Sequence, residues 1–289
     1  MEGLRRLIIV GPTASGKTAL AVRIAKQYGG EIICADSRTV YKTLNIGTAK
    51  PTLAERQAVV HYGLDLVLPN QRFSAIQFKD YCSKTVQRIQ DANTLPIIVG
   101  GSGLYIDAYL FDYQPPPIDA KMVKYYETLS IFELQEAILD RRLKMPENYK
   151  NKLHLINALV RNGGQPTKSS RILDGTMIVG LWPPKDMLKQ RIIDRMHQMK
   201  ADGVREEASG AFAEYGYNAP GLRGGIYKEL AKYRKGEVIL DVAYDNAIQS
   251  DYRLAKRQIT WFKRNTDIRW FSTSDDAVIW INAYINGTL

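Results

Sequence analysis

The chain has 289 residues, of which 45% are hydrophobic, and a formal net charge of +10 at pH 7. This length accommodates one α/β domain with a sizeable insertion, or two small domains. No apolar run approaches the roughly 20 residues of a membrane helix, and two cysteines are too few for a disulfide framework or a zinc cluster. The positive charge favours a polyanionic partner such as nucleic acid, although a generally basic soluble enzyme would carry it as well.

Four short apolar runs predict β-strands, at residues 7–10, 31–35, 95–99 and 176–181. The first run is too short for the apolar part of a signal peptide, so we expect a cytoplasmic protein. Helical patterns alternate with the runs, beginning with a helix from Thr18 to about Gln27, and this alternation predicts a parallel sheet with crossover helices. The runs lack polar alternation, which fits strands that are covered on both faces.

The character of the chain changes between residues 112 and 170, which predicts a helical insertion. Glutamine and three prolines at 114–117 break the chain, and the Gly-Gly-Gln-Pro segment 163–166 closes the insertion. Helical patterns lie between these breaks, at 118–143 with an interruption near Ser130 and at 148–161.

The remaining residues, 1–111 and 171–289, are predicted to form a doubly wound parallel α/β core of the P-loop class. The C-terminal part of this core is expected to be mainly helical. Its predicted helices are residues 185–200, 204–215, 227–233 and 242–263.

Residues 11–18, GPTASGKT, match the phosphate-binding loop G-x-x-x-x-G-K-[ST] between a predicted strand and a predicted helix. Backbone N–H groups of such a loop point at phosphate oxygens, and the following helix adds its positive N-terminal end. Lys17 would contact the terminal phosphate and Thr18 would offer its hydroxyl to Mg²⁺. ATP- and GTP-binding enzymes use this loop, but it can equally hold another diphosphate. The candidate ligands are Gly11, Thr13, Ala14, Ser15, Gly16, Lys17 and Thr18.

Polar residues follow the second and third predicted strands at the same edge of the sheet. Asp36 follows the second strand, and Ser102 lies in a glycine turn after the third. Because ligands bind at the carboxyl ends of parallel strands, both side chains are expected near the phosphate loop. Asp36 could accept a proton from a nucleophile or hold a metal through water, or it could simply cap a helix. The glycine turn could likewise be no more than a tight strand-to-helix connection.

Five blocks occur along the chain in a fixed order: GPTASGKT, DSRTVYK, IGTAKP, PIIVGGSGLY and AKRQITWFKRN. Together they resemble the tRNA dimethylallyltransferases, also called tRNA isopentenyltransferases. The matching stretches run from residue 7 to about 105 and from 178 to about 264. Enzymes that make cytokinins from free adenylates share the first of these stretches. Five ordered blocks are far more specific than a phosphate loop alone.

The resemblance implies transfer of a dimethylallyl group from dimethylallyl diphosphate to N6 of an adenosine in the tRNA anticodon loop. The phosphate loop would then hold the leaving diphosphate, with Lys17, Thr18 and Mg²⁺ neutralising its charge. Asp36 would accept the amine proton, and Ser102 takes a place that threonine usually fills near that amine. Of two arginines spaced four residues apart, Arg191 and Arg195, Arg195 is the expected diphosphate ligand. A monomer is expected.

The resemblance also implies two regions that contact tRNA, the segment after the second strand and the C-terminal half. Residues 256–264 interleave cations with aromatic residues, which suit phosphates and bases respectively. The same residues also fit an amphipathic helix with Ile259 and Phe262 in the core and a solvated basic face. The implied tRNA contacts are Asp36, Ser37, Arg38, Thr39, Arg223, Tyr227, Lys228, Lys256 and Arg257.

The sequence departs from the family pattern where tRNA contacts are implied. Thr39 replaces a usual glutamine, and His154 and Asn157 stand in the insertion where two arginines are usual. Histidine is mostly neutral at pH 7, so both fixed charges are lost. In residues 223–228, RGGIYK, a glycine and an isoleucine are exchanged relative to the usual order. These departures leave the implied catalytic residues unchanged but predict altered binding of the anticodon loop.

Three other functions remain compatible with parts of the sequence. The first is the same transfer to free AMP, ADP or ATP, which the extended basic C-terminal half argues against. The second is a small-molecule P-loop kinase, which the absence of an obvious arginine-rich lid in this sequence argues against. The third is a non-catalytic RNA-binding protein, which intact Lys17, Thr18 and Asp36 argue against.

Overall fold

The computed structural model describes residues 4–114, 116, 119–162, 164 and 167–288. The chain forms two compact units: unit 1 comprises Met1–Leu110 and Ile172–Leu289, and unit 2 comprises Phe111–Arg171. Unit 2 extends one residue beyond the predicted insertion at each end. Most residues of the two predicted breaks lie outside the described residues, and so does Ile118. The break residues concerned are Pro115, Pro117, Gly163, Gln165 and Pro166.

The described part of unit 1 contains a six-stranded sheet with the order β3-β2-β4-β1-β5-β6, and every adjacent pair is parallel. The strands are β1 (Arg6–Val10), β2 (Glu31–Cys34), β3 (His61–Tyr62), β4 (Pro96–Gly100), β5 (Thr176–Leu181) and β6 (Arg269–Phe271). The parallel α/β fold class predicted from the sequence is therefore confirmed.

Strand β1 is central and wholly buried. Ile8 pairs with Ile98 of β4 on one side and with Ile178 of β5 on the other. All five residues of β1 and of β4 are buried, which explains why both strands are continuous apolar runs in the sequence. The four predicted strands are confirmed, with ends that differ by one residue or none.

Helices surround the sheet of unit 1 and make up most of the C-terminal part of this unit. They are α1 (Lys17–Tyr28), α2 (Leu53–Arg56), α3 (Ala75–Asp91), α4 (Gly103–Leu110), α8 (Lys185–Ala201), α9 (Val204–Tyr215), α10 (Gly225–Arg234), α11 (Leu240–Phe262) and α12 (Ser274–Ile285), together with a short 3₁₀ helix at Pro220–Leu222. Leu20 and Ile24 of α1 and Ile281 of α12 join the sheet in one buried core.

The described part of unit 2 contains three helices, α5 (Ala120–Thr128), α6 (Ile131–Asp140) and α7 (Lys152–Val160), around a core that includes Tyr126, Leu134 and Leu155. The predicted interruption near Ser130 is a reciprocal cap. Glu133 N donates to Ser130 Oγ at 3.2 Å, and Ser130 N donates to the Glu133 carboxylate at 2.6 Å. On α7, His154 is exposed and Asn157 is half-buried.

Across the part of the chain that the structure describes, none of the helices is both long and apolar enough to span a membrane.

Candidate active site

Three loops meet at the carboxyl edge of the sheet in unit 1. The phosphate loop leaves β1, the Asp36 loop leaves β2, and the glycine turn of Ser102 leaves β4. β4 lies between β1 and β2, so its turn separates the other two loops. Ser102 N donates to Ala35 O at 3.3 Å and Ser37 N donates to Ser102 Oγ at 2.8 Å, which binds the turn to the Asp36 loop.

The phosphate loop has the backbone of an anion-binding nest. Gly16 has φ 92°, which favours glycine, and it precedes α1 without a side-chain cap from the described residues. The first N–H groups of α1 are therefore available to an anion. Ser15 Oγ is buried and has no hydrogen-bond partner within the described structure, so a polar atom in the loop is unsatisfied without a ligand.

The side chain of Lys17 is held by its own loop. Its Nζ donates to Pro12 O at 2.8 Å, which bends the side chain back over the loop. Burial lowers the pKa of Lys17 to about 8, while the Asp36 carboxylate raises it and the Arg195 guanidinium lowers it. The ammonium therefore lies within the electrostatic field of both groups, and a bound polyanion would restore its proton affinity.

Asp36 is held by its own turn and caps no helix. Its Oδ1 accepts from Arg38 N at 2.8 Å, and residues 37–40 form a turn. The cap interpretation weighed for the sequence is thereby excluded. Ser102 Oγ also donates to Ser37 Oγ at 3.2 Å, so a carboxylate and two hydroxyls lie together beside the loop of Lys17. Because α4 begins at Gly103, the glycine turn is also a strand-to-helix connection.

Helix α8 reaches the phosphate loop through two arginines on one face. Arg195 Nη1 donates to Thr13 Oγ1 at 2.7 Å, and its Nη2 forms an ion pair with Asp251 of α11 at 2.6 Å. Arg191 Nη1 donates to Ser15 O at 3.3 Å. Both arginines thus add positive charge to the loop, whereas the sequence favoured Arg195 alone.

Helix α11 presents different chemistry on its two sides. Gln258 and Trp261 face inward, where Gln258 accepts from Thr13 N at 2.8 Å and Trp261 Nε1 donates to Asp107 at 2.8 Å. Lys256 and Arg257 are exposed, while Phe262 is buried. The amphipathic interpretation of this segment is confirmed for Phe262 and for the basic outer face, whereas Ile259 is only half-buried. Contact of the outer face with RNA stays a prediction.

A cavity of about 600 Å³ is lined in part by Arg195. It is lined by both apolar and basic side chains, among them Ile46, Arg56, Arg195 and Met199. Its volume falls within the range of small-molecule sites. Glu55 and Asp202 also line it, and Arg195 is its link to the phosphate loop, through the hydrogen bond to Thr13 Oγ1.

Comparison with known proteins identifies the family. A model of the IPP transferase family matches residues 39–265, which is most of the chain. The chain belongs to the IPP transferase family. It is 36% identical to the tRNA dimethylallyltransferase of Geobacillus kaustophilus over 93% of this chain and 90% of that protein. It is also 36% identical to the tRNA dimethylallyltransferase of Streptococcus mutans, over 93% of this chain and 92% of that protein.

Solved structures agree with this assignment of the chain to the IPP transferase family. The full-length tRNA isopentenylpyrophosphate transferase of Bacillus halodurans is 30% identical, with a TM-score of 0.74 over 98% of this chain and 96% of that one. A eukaryotic dimethylallyltransferase acting on tRNA shares the fold, with a TM-score of 0.79 at 20% identity over 98% of this chain and 80% of that one. The resemblance noted in the sequence is confirmed.

Two of the predicted tRNA contacts of this IPP transferase have buried side chains. Thr39 is 5% exposed and Tyr227 is 1% exposed, so neither side chain presents much surface to RNA in the free chain. Tyr227 lies beneath the 45–47 loop and donates its hydroxyl to Glu207 at 2.5 Å. Its burial and the neighbouring carboxylate raise the pKa of Tyr227, so its phenol stays protonated.

The remaining predicted tRNA contacts differ in exposure. Ser37, Arg223, Lys228, Lys256 and Arg257 are exposed, and Asp36 and Arg38 are half-buried. The Arg38 guanidinium packs so closely over Gly224 that a side chain at Gly224 would collide with it. Arg223 Nε donates to Asn218 O at 2.7 Å.

Lys50, the lysine of the block IGTAKP, is engaged within its own loop. It is 6% exposed, and its Nζ donates to Tyr41 O at 2.7 Å, to Asn45 Oδ1 at 2.9 Å and to Asp65 Oδ1 at 2.6 Å. Three oxygen partners occupy this ammonium, so the lysine stabilises its own loop.

Three polar residues around the site were missed in the sequence: Glu207, Asp251 and Gln258. The sequence pattern of α11 could have identified Asp251 and Gln258. Asp251 and Gln258 fall in the stripe of α11 that otherwise carries Ala247, Ala255 and Phe262, all buried. A polar residue within an apolar helical stripe must find a hydrogen-bond partner, and here each partner belongs to the site.

Proposed function

We propose that this IPP transferase moves the dimethylallyl group of dimethylallyl diphosphate to N6 of an adenosine in the tRNA anticodon loop. One observation carries the proposal. A phosphate-binding loop with a half-buried lysine, Lys17, lies beside a carboxylate, Asp36, and a hydroxyl, Ser102, at one sheet edge. This arrangement places a proton acceptor next to a site for a leaving diphosphate.

The reaction exchanges one bond at the allylic carbon. The C–O bond to the diphosphate breaks and its electron pair leaves with diphosphate, while N6 forms a bond to the same carbon. N6 loses one proton, which passes to the Asp36 carboxylate. The exocyclic amine is a weak nucleophile because its lone pair is delocalised into the ring, so holding it in line contributes much of the rate.

The chain's own groups stabilise the leaving diphosphate. The N–H groups at the start of α1 and the cations Lys17, Arg191 and Arg195 all lie at the loop. These donors are in place before the negative charge develops on the leaving oxygen, so little reorganisation is required. Ser102 Oγ, held by Ser37 N, is placed to contact the amine or the Asp36 carboxylate.

The residues of this site are compatible with Mg²⁺ bound together with the diphosphate. Among the described residues, no group of three or more acidic, histidine or cysteine side chains could hold a metal unaided. Mg²⁺ commonly takes one or two protein ligands and completes its shell with phosphates and water, and Thr18 on the first turn of α1 offers such a hydroxyl. When bound, the ion would neutralise charge on the leaving group.

The acceptor is supported by the exposed cations of the chain. Lys256 and Arg257 of α11, together with Arg223 and Lys228, present charge to a polyanion that a free nucleotide would not need. The names of the relatives, tRNA dimethylallyltransferases, point the same way. The target adenine would have to leave its stack to bring N6 to Asp36.

A competition of acceptors tests this proposal. The full chain is incubated with Mg²⁺, labelled dimethylallyl diphosphate and equal concentrations of tRNA, AMP or ATP. We expect label only in tRNA, on an adenosine next to the anticodon. Label on AMP or ATP would establish the adenylate transferase instead, and ATP-dependent phosphate transfer without prenylation would establish a kinase. A tRNA whose target adenosine is replaced by guanosine is the matched control.

A further inference from the structure

Gln258 spans the gap between two loops of the candidate site. Its Oε1 accepts from Thr13 N of the phosphate loop at 2.8 Å, and its Nε2 donates to Gly101 O of the Ser102 turn at 2.9 Å. The two partners fix the orientation of the amide, because only its oxygen can accept and only its nitrogen can donate. A side chain at Gly101 would collide with this amide, so the turn is packed directly against it.

The same helix holds the phosphate loop at a second point. Asp251, two turns before Gln258 on α11, pairs with Arg195, which in turn donates to Thr13 Oγ1. The backbone N–H and the side-chain hydroxyl of Thr13 are thus both held through α11. One turn after Gln258, Trp261 donates to Asp107 of α4, the helix that begins at the Ser102 turn. Gln258 is the member of this set that contacts both loops itself.

We propose that Gln258 is a positioning residue for prenyl transfer. It sets the distance between the loop that holds the leaving diphosphate and the turn that carries Ser102 beside the amine. This inference rests on the function proposed above. In-line transfer depends on the relative placement of donor and acceptor, and a displacement of 1 Å can cost about 10²-fold in rate. Because it touches no reacting atom, Gln258 acts through the two loops.

The test uses a substitution that keeps volume and removes both hydrogen bonds, Gln258→Met in the full chain. Gln249→Met is the matched control, since Gln249 lies on the same helix and is exposed. For each variant we measure kcat and KM for dimethylallyl diphosphate with tRNA, the affinity for inorganic diphosphate with Mg²⁺, the affinity for tRNA, and Tm.

For Gln258→Met we expect kcat/KM for the donor to fall roughly 10- to 100-fold. Diphosphate binding should weaken and tRNA binding should stay unchanged, while Gln249→Met behaves as the unmodified chain in every assay. A merely structural role would instead lower Tm and leave the kcat and KM of the folded protein unaltered, and that result overturns the proposal.

Failure of the proposed function gives a different pattern. If the unmodified chain transfers no dimethylallyl group, the prenyl-transfer function fails, and diphosphate affinity alone decides the role of Gln258. Weaker diphosphate binding in Gln258→Met but not in Gln249→Met would still support Gln258 as the residue that positions the phosphate loop. Equal binding in all three chains would overturn it.

Discussion

The two carboxylate oxygens of Asp36 have different surroundings. Oδ1 accepts from Arg38 N and fixes the turn after β2, whereas no hydrogen bond to Oδ2 occurs within the described structure. The same residue can therefore maintain its orientation and receive a proton from the acceptor amine. An amide at this position would preserve the first role and abolish the second.

Asp36→Asn should consequently lower kcat roughly 10²- to 10⁴-fold, the usual contribution of a general base. Affinity for tRNA and for diphosphate should remain near that of the unmodified chain, because Asn Oδ1 still accepts from Arg38 N. Single-turnover transfer from labelled dimethylallyl diphosphate measures the loss, and filter binding measures tRNA affinity. Full turnover in the variant would assign the base to another group.

Lys17 links donor binding to pH. In the free chain its pKa is lowered from 10.5 to about 8 by burial. Since the protonated form binds the diphosphate, donor affinity should fall as pH rises through about 8. Stability should follow the opposite trend. Between about 8 and 10.5 the folded chain binds fewer protons than the unfolded chain, so the contribution of Lys17 to the free energy of unfolding rises with pH.

Calorimetric titration with diphosphate and urea denaturation over the same pH range check both trends of Lys17. Lys17→Met should weaken diphosphate binding at every pH and flatten both profiles. A diphosphate affinity that stays constant across the window in the unmodified chain would contradict the assignment.

At the scale of elements, α9 fixes the loop that follows the Asp36 turn. The Glu207 carboxylate accepts from Asn45 N at 2.7 Å, from Ile46 N at 2.8 Å and from Gly47 N at 2.9 Å, and also from the Tyr227 hydroxyl. Three consecutive backbone donors on one carboxylate hold the loop as tightly as a helix cap holds a first turn.

Glu207→Ala should therefore lower the free energy of unfolding by about 2–4 kcal/mol, because several charge-assisted hydrogen bonds are lost together. Urea denaturation measures the change. Glu206→Ala is the control from the same turn of α9, since the ion pair of Glu206 with Arg205 is exposed at the surface and its removal should hardly alter stability. Equal effects of the two substitutions would show that the loop is held by other contacts.

The elements that the sequence predicted are those with a strong local signal. Strands β1, β2, β4 and β5 are buried apolar runs, and the phosphate loop has a fixed spacing. Strands β3 and β6 have only two and three residues, so no period can develop in them. Helix α3 was also missed, although it has a Ser74–Gln77 capping box that marks its start.

The sequence predicted the candidate residues that would contact a ligand. It predicted less well the residues that hold the loops of the site in place. Asp36, Lys17 and Ser102 follow strand ends, where topology alone directs them to one edge. Gln258 lies far along the chain from Thr13, and Glu207 from Gly47, so their pairing depends on helix packing that a single sequence does not specify. The burial of Thr39 and Tyr227 was not foreseen, because motif matching carries no information on burial.

Over the whole molecule the net charge is +10, but the salt dependence of RNA binding is set by the cations that contact phosphates. The relevant charges are those near the carboxyl edge of the sheet. Helix α11 brings Lys256 and Arg257 to the surface one turn from Trp261, while its inner face holds the phosphate loop. The outer face of this helix is therefore the part of unit 1 expected to meet tRNA phosphates.

Lys256→Ala combined with Arg257→Ala should weaken tRNA binding and reduce the slope of log affinity against log salt by about 2, since each phosphate contact contributes nearly one. The affinity for diphosphate should not change, because the inner face of α11 is intact. The control is Lys26→Ala with Lys84→Ala, two exposed lysines on α1 and α3 away from the carboxyl edge. It removes the same charge, so an equal loss of slope would mean that tRNA responds to net charge rather than to this face.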